Sequence, residues 1–334
     1  MTTTASTSDT RVPVWKRLTK GRTGAQRLFL LTVLVPMLLY MAFFTLLPIL
    51  WAFALAFFDY SARRTGGTIL GLGGENPFVG LEHFFNMFNF SADAPLEVRQ
   101  FHSSLKTTLL FALLVVPLNF IITLPLAVMI ESTRGWAKNV FRTIFFLPIV
   151  TSSVGVAIMW GFILHPQRGL MNGLLTLITG KLTVIGWVSD PSLYPLPLFA
   201  VIMAYLWQDF GYNLIIFVAA LQAIPESIKD AARMDGVSGW QMFWNIILPL
   251  LKPTIFLAAV LTMISAFQVF DIIQVMTEGG GPQDQTRVLV IDIYNNAFRF
   301  QRMGWAAAVS LVLFLLVLTI SLVQTRVMRS DWEY

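Results

Sequence analysis

The sequence predicts an all-α, polytopic membrane protein with six transmembrane helices, and three observations carry that prediction. Apolar residues make up 56% of the 334-residue chain, charged residues only 12%, and the mean hydropathy is +0.70. A soluble domain carries roughly 25% charged residues. Six stretches stay apolar over about 20 residues, the length that crosses a hydrocarbon core. The basic residues behind the formal charge of +5 cluster between those stretches, as residues flanking membrane spans do. That placement argues against the nucleic-acid partner that a pI near 9.6 would otherwise admit. With no cysteine in the chain, disulfides, thiol catalysis and thiolate metal sites are excluded.

From the N-terminus, residues 1–27 form a basic tail with Arg11, Lys16, Arg17, Lys20, Arg22 and Arg27. Leu28–Phe58 follows. It is too long for a signal-peptide core of roughly 7–15 residues and lacks a clean cleavage site, so it reads as a retained span. The other spans are Thr107–Ile130, Thr143–Leu164, Leu196–Ile224, Thr254–Met276 and Trp305–Thr325. Between them lie three longer Gly- or Pro-bearing segments, Asp59–Lys106, His165–Pro195 and Thr277–Gly304. The remaining connections are Glu131–Arg142 and Pro225–Pro253. With the N-terminus in the cytoplasm, the inner segments hold 14 of the 23 basic residues over a shorter total length. This places both termini in the cytoplasm, and Arg326 and Arg329 agree. Pro36, Pro48, Pro117, Pro125 and Pro148 fall in or at the ends of spans, where neighbouring helices can satisfy the freed carbonyls.

Several chemistries find no residues. No phosphate-binding G-x-x-x-x-G-K-[ST] run occurs, so ATP is not bound by that device. Gly66–Gly74 reads as a flexible outer loop. His83, His102 and His165 have no metal-ligand spacing, and no nucleophile constellation supports a membrane-embedded enzyme. No cofactor is expected.

The inner segment 225–253 is the most informative. Glu226 near the start of a helix-forming stretch suits the helix dipole, Gly236 supplies a turn, and a second helical piece, broken off near Gly236 and Gly239, runs from Trp240 to Ile247. Trp240, Phe243 and Trp244 share one helical face. Such a stripe fits a docking surface and a membrane-interface anchor equally well.

Within the spans the ionisable residues are Asp209 and Asp271, and such residues are costly enough in a bilayer to imply a purpose. Tyr205, Gln208, Asp209 and Tyr212 are spaced to share one face of span four, with Asn213 bordering it. On span five, Thr262, Ser265, Gln268 and Asp271 form a slowly turning polar stripe. Aromatic, amide and carboxylate groups suit a neutral polyol, whose hydroxyls donate to acids and accept from amides. The competing reading is that these groups only join helices.

The spacing Asp230-Ala231-Ala232, three residues, Gly236, nine residues, Ile246, one residue, Leu248-Pro249 resembles the "EAA" loop of ATP-binding-cassette import permeases. Asp230 stands where that family has glutamate, and Asp235 precedes the glycine. Phe78-VGLEHF, Phe141-RTIFFLP, Leu221-QAIP and Thr277-EGGGPQDQT extend the resemblance to the carbohydrate branch. It implies the type I importer permease fold, a coupling helix at 225–253, no catalysis in this chain and a prokaryotic cytoplasmic-membrane location. The implied partners are a second homologous permease, a cytoplasmic ATPase dimer and an extracytoplasmic sugar-binding protein. Tyr212 falls on a sugar-contacting tyrosine of the family and Thr262 on a serine, while Ala266 and Val269 replace asparagines. The alternative is an ion-gradient-driven secondary transporter using Asp209 or Asp271. Inverted repeats or broken mid-membrane helices would favour it, and neither is legible in the sequence.

Overall fold

The computed structural model describes residues 22–64, 72, 74–91 and 93–327; these are mostly helical, with a strand-like bridge between Phe58 and Phe78. The tail before Arg22, most of Gly66–Gly74 and Arg329 lie outside the described residues. The chain divides into two compact units, residues 1–55 and 56–334.

The first unit is a helix in two parts, α1 (Arg22–Met41) and α2 (Leu47–Leu55), joined by a wide π turn at Ala42–Leu46. It is long and apolar enough over Gln26–Leu55 to cross a membrane, and ends before the expected Phe58. The π turn has a local cause. Pro48 has no N–H, and its ring crowds the carbonyl four residues back. Widening the preceding turn, with the Leu47 N–H donating to Ala42 O, lets the helix continue.

The second unit opens with α3 (Glu82–Met87) and α4 (Leu96–Ser132). The bent pair α5 (Trp136–Val150) and α6 (Ser153–Ile163) follows, then α7 (Leu170–Thr179) and α8 (Leu196–Ala223). Next come α9 (Glu226–Met234), α10 (Gly239–Met242), α11 (Leu248–Leu250) and α12 (Lys252–Phe267). The chain finishes with α13 (Asp271–Met276), α14 (Leu289–Tyr294) and α15 (Met303–Val327). The α4–α8 pair is the most extensive contact, flanked by α5 and α12. Phe111, Val115, Leu214 and Phe217 are buried on its helices, and the Phe111 ring meets Tyr205 edge-on at 5.3 Å.

Three spans differ from the sequence expectation. The second begins at Leu96 rather than Thr107, because Val98, Phe101 and Ser104 are buried by protein despite the charges of Glu97, Arg99 and Lys106 around them. At 37 residues α4 is about 55 Å long, so part of it extends beyond the hydrocarbon. The third span is broken, with α5 and α6 meeting at 99°. Thr151 and Ser152 are extended at the break, one turn after Pro148. The fifth stops at Phe267 and resumes at Asp271, so the polar stripe expected on one helix crosses a break. No proline or glycine marks that second break.

The Thr277–Thr286 segment is tightly built. Glu278, Gly279, Gly280, Gly281, Gln283 and Asp284 all take positive φ, and Thr286 Oγ1 donates to Thr277 Oγ1 at 2.9 Å. Just beyond, buried Arg287 pairs with Asp284 at 2.9 Å and faces buried Asp292 at 3.4 Å. Burial raises the Asp292 pKa to about 6 in spite of Arg287. At Gly304, the N–H donates to Tyr60 O at 3.0 Å, and an added Cβ would overlap the Phe58 carbonyl oxygen.

Gly304→Ala should therefore lower the melting temperature of the detergent-purified chain, by a strain of about 1–3 kcal/mol. Gly155→Ala, with only ordinary contact at 4.0 Å, should leave it unchanged. A second expectation concerns pH. A folded-state carboxyl raised from 3.8 to about 6 binds its proton more tightly than the unfolded chain does. Stability from this group is present below pH 4 and is lost as pH rises through 6. Asp292→Asn should raise the melting temperature at pH 7.5 but not at pH 4, and flatten the profile between.

Candidate functional site

The loop after α8 is built around a left-handed turn. In α9, Lys229 Nζ donates to Glu226 at 3.1 Å and Arg233 Nη1 donates to Asp230 at 2.8 Å, all on exposed or half-exposed side chains. The Lys229 hydrogen bond holds the Glu226 carboxyl below the usual range. Ala231 is exposed and Ala232 buried. The Asp235 N–H donates to Ala231 O at 3.0 Å and the Val237 N–H to Ala232 O at 3.1 Å, closing the helix. Between them Gly236 sits at φ +72°, a conformation that side chains resist.

The two helical pieces separate at 235–238, next to Gly236 and Gly239 as the sequence reading has it, with Gly239 the first residue of the second piece. Gly239 opens α10, whose N-terminus Ser238 caps by accepting from the Gln241 N–H at 3.3 Å, while the Ser238 N–H donates to Gln241 Oε1 at 3.0 Å. This reciprocal pairing satisfies donors that a helix start leaves open. A π turn at Phe243–Ile247 then precedes Pro249, the same accommodation seen before Pro48. The helical piece thus continues through Leu248 and Pro249 toward α12 instead of stopping there.

The two sides of this loop differ. Ile247 and Leu251 are buried with Ala127, Ile130, Leu221 and Ile224, while Ile246, Leu248 and Pro249 are half-buried. Ile247 was missed in the sequence, although its four-residue spacing to Leu251 was legible. On the other side Met234 is 89% exposed and Trp240 72% exposed, flanking the Gly236 turn. Trp240 and Trp244 rings lie 5.5 Å apart. One side is thus anchored in the bundle, and the other leaves apolar groups exposed.

The polar residues of the spans separate into two sets. Asp209 and Thr262 belong to a buried network. Asn119 Nδ2 donates to Asp209 Oδ2 at 2.8 Å, and Asn213 Nδ2 donates to Asn119 Oδ1 at 2.8 Å and to Thr262 Oγ1 at 2.7 Å. Asn119 was not expected from the sequence, although an amide in the apolar middle of a span was the available signal. Gln208 serves the helix break: its Nε2 donates to Thr151 O at 2.9 Å and Ser153 Oγ at 3.2 Å. Tyr205 is buried while Tyr212 is exposed, so the four-residue face does not line one open surface. Tyr212, Ser265, Gln268 and Asp271 form the second set, all exposed. Among the described residues no group of three or more His, Asp or Glu side chains is placed to hold a metal.

Comparison with known proteins gives consistent matches. The probable ABC transporter permease protein YurN of Bacillus subtilis is 32% identical over 302 residues, 90% of this chain and 96% of that protein. The lactose transport system permease protein LacF of Rhizobium radiobacter is 37% identical over 67% of this chain and 74% of its own length. The sn-glycerol-3-phosphate transport system permease protein UgpA of Agrobacterium fabrum is 34% identical over 78% of this chain and 86% of that protein. Among solved structures, a bacterial ABC transporter involved in the import of the acidic polysaccharide alginate contains a chain of the same fold. Its TM-score is 0.76 at 23% identity, covering 96% of this chain and 99% of that one. The model of the family described as binding-protein-dependent transport system inner membrane component matches residues 123–330, and with these relatives it shows that the chain belongs to that family.

Proposed function

We propose that the chain is one permease subunit of an ATP-driven importer for a sugar or oligosaccharide. The observation that carries this reading is the loop at 225–253, anchored through Ile247 and Leu251 and exposing Met234 and Trp240. Apolar side chains so placed favour a protein groove as their partner. A cytoplasmic ATPase dimer is that partner, with Asp230, Ala231, Asp235 and Gly236 near the contact. Membership of a binding-protein-dependent family and relatives named for lactose and glycerol-phosphate transport support the rest. An extracytoplasmic binding protein delivers the cargo, and both termini are cytoplasmic, as the 14-to-9 division of basic residues supports.

A second permease is called for by physics as well. Tyr212, Gln268 and Asp271 are exposed on membrane helices. A carboxylate and an amide facing lipid are costly, so such groups face protein or a water-filled path. A pathway shared with a second subunit meets that need, with Tyr212, Gln208, Gln268 and Asp271 nearest the cargo and Tyr205, Asp209 and Thr262 supporting them from behind. No ATP chemistry occurs here. The break between α5 and α6 is the kind of feature an ion-coupled carrier would show, while α12 and α13 together count as one span with a short interruption; the family assignment gives that alternative no support.

Two experiments test the reading. The tagged chain purified in mild detergent should bring down an ATP-hydrolysing subunit and a second permease. Gly236→Pro should lose the ATPase, and so should Met234→Asp, which leaves the turn intact. Purification of the native chain alone, with uptake intact, overturns the importer reading. In cells, Tyr212→Ala and Gln268→Ala should each lower sugar uptake about tenfold, the worth of one good hydrogen bond, at normal membrane abundance. Thr262→Val should instead lower the melting temperature.

A further inference from the structure

Glu131 stands where local physics disfavours it. It is the second-last residue of α4, and a negative charge at a helix C-terminus opposes the helix dipole. Its side chain is only 16% exposed. The carboxylate is held there by donors from two other helices. Lys138 Nζ donates to Oε2 at 2.7 Å, and Arg142 Nη2 donates to Oε1. Lys138 and Arg142 are four residues apart on α5 and so share one face. Gln222 Nε2, from the second-last residue of α8, donates to the same Oε1 at 3.1 Å.

One carboxylate therefore joins the ends of α4, α5 and α8. Gln222 lies three residues before Pro225, where the coupling loop begins. A cavity of about 260 Å³ separates this cluster from the loop. Glu131, Ser132 and Lys138 line one wall, and Glu226, Lys229 and Arg233 of α9 the other. Separating the three helix ends would leave two half-buried cations without their carboxylate, which partial burial makes costly.

Resting on the coupling reading above, we propose that Glu131 is a positioning residue that makes the ends of α4, α5 and α8 move as one body with the coupling loop. A displacement of α9 by the ATPase is then passed to three spans at once. Without the clamp, the loop shifts while the spans lag.

The chain has no cysteine, so paired spin labels can be placed freely. Labels at Trp136→Cys on α5 and Ser227→Cys on α9 report the distance between clamp and loop. In the purified complex that distance should be single and narrow, with and without ATP. Glu131→Gln should lose the single distance and give several populations, while Glu131→Asp should restore it. Gln222→Met, which removes only the tie to α8 and leaves the ion pairs intact, should also broaden it. A distance as narrow in Glu131→Gln and Gln222→Met as in the parent overturns the proposal, as does broadening that Glu131→Asp fails to reverse. If no ATPase accompanies the parent chain, the coupling reading fails, and the label distances in the lone chain still decide the clamp.

Discussion

Asn119 ties α4 to α8 with one side chain and Asn213 carries the tie on to α12, and the packing of these three helices depends on that buried chain of bonds. The Asn119 amide donates to Asp209 on α8, its carbonyl accepts from Asn213 on the same helix, and Asn213 passes the chain of bonds to Thr262 on α12. In a bilayer, apolar surfaces alone give little preference for one helix register, because lipid is as apolar as leucine. Directional bonds supply that preference. Each contributes about 0.6 kcal/mol on average in a membrane, with a larger loss when one partner is deleted and the other stays buried. Asp209 is held half-buried in this way by an amide, with no basic partner among the described residues.

The same rule of internal satisfaction explains the helix breaks. A span can stop in mid-membrane only where its open carbonyls find donors. At the α5–α6 break, Gln208 reaches across from α8 to Thr151 O and Ser153 Oγ. At Pro48 and Pro249 the solution is a widened turn before the ring, whereas Pro36, Pro117 and Pro125 sit within unbroken α-helix. Gly211 contributes by absence: a Cβ there would lie 3.1 Å from Phe145 O, so its lack lets α5 lie close against α8. A bent α5–α6 pair held to α8 by Gln208 and Gly211 is thus a stable arrangement and not a frayed span.

Much of this was legible because membrane burial leaves a one-dimensional signal. Long apolar runs showed the class and the five spans, six with the bent α5–α6 pair counted as one, and the spacing from Asp230 to Pro249 pointed to the loop. What escaped were features set by neighbours in space. The extension of α4 back to Leu96 is hidden by charges that hydropathy counts and packing tolerates. The break at Gln268–Phe270 carries no proline or glycine. The face of Tyr205, Gln208, Asp209 and Tyr212 is real in periodicity, yet one member is buried against Phe111, one serves the helix break and one is exposed. Periodicity says which residues share a side of a helix; it does not say what lies on that side.

Exposure in the lone chain then becomes evidence about its surroundings. Apolar side chains on spans such as Leu113, Ile121 and Leu322 are exposed at no cost to a protein in lipid. Gln268 and Asp271 do not share that freedom, because lipid offers neither donor nor acceptor. Met234 and Trp240 present the opposite mismatch, apolar groups on a loop between spans. Under the proposed function each mismatch would be relieved by a partner of opposite character, a polar path beside α12 and α13 and an apolar groove beneath α9 and α10. The bundle is cross-linked at Asn119 and Glu131, and its helices are interrupted where α5 meets α6 and α12 meets α13. On the proposed coupling, a force entering at the loop meets these ties first and is taken up at the interruptions, next to Gln208 and Gln268.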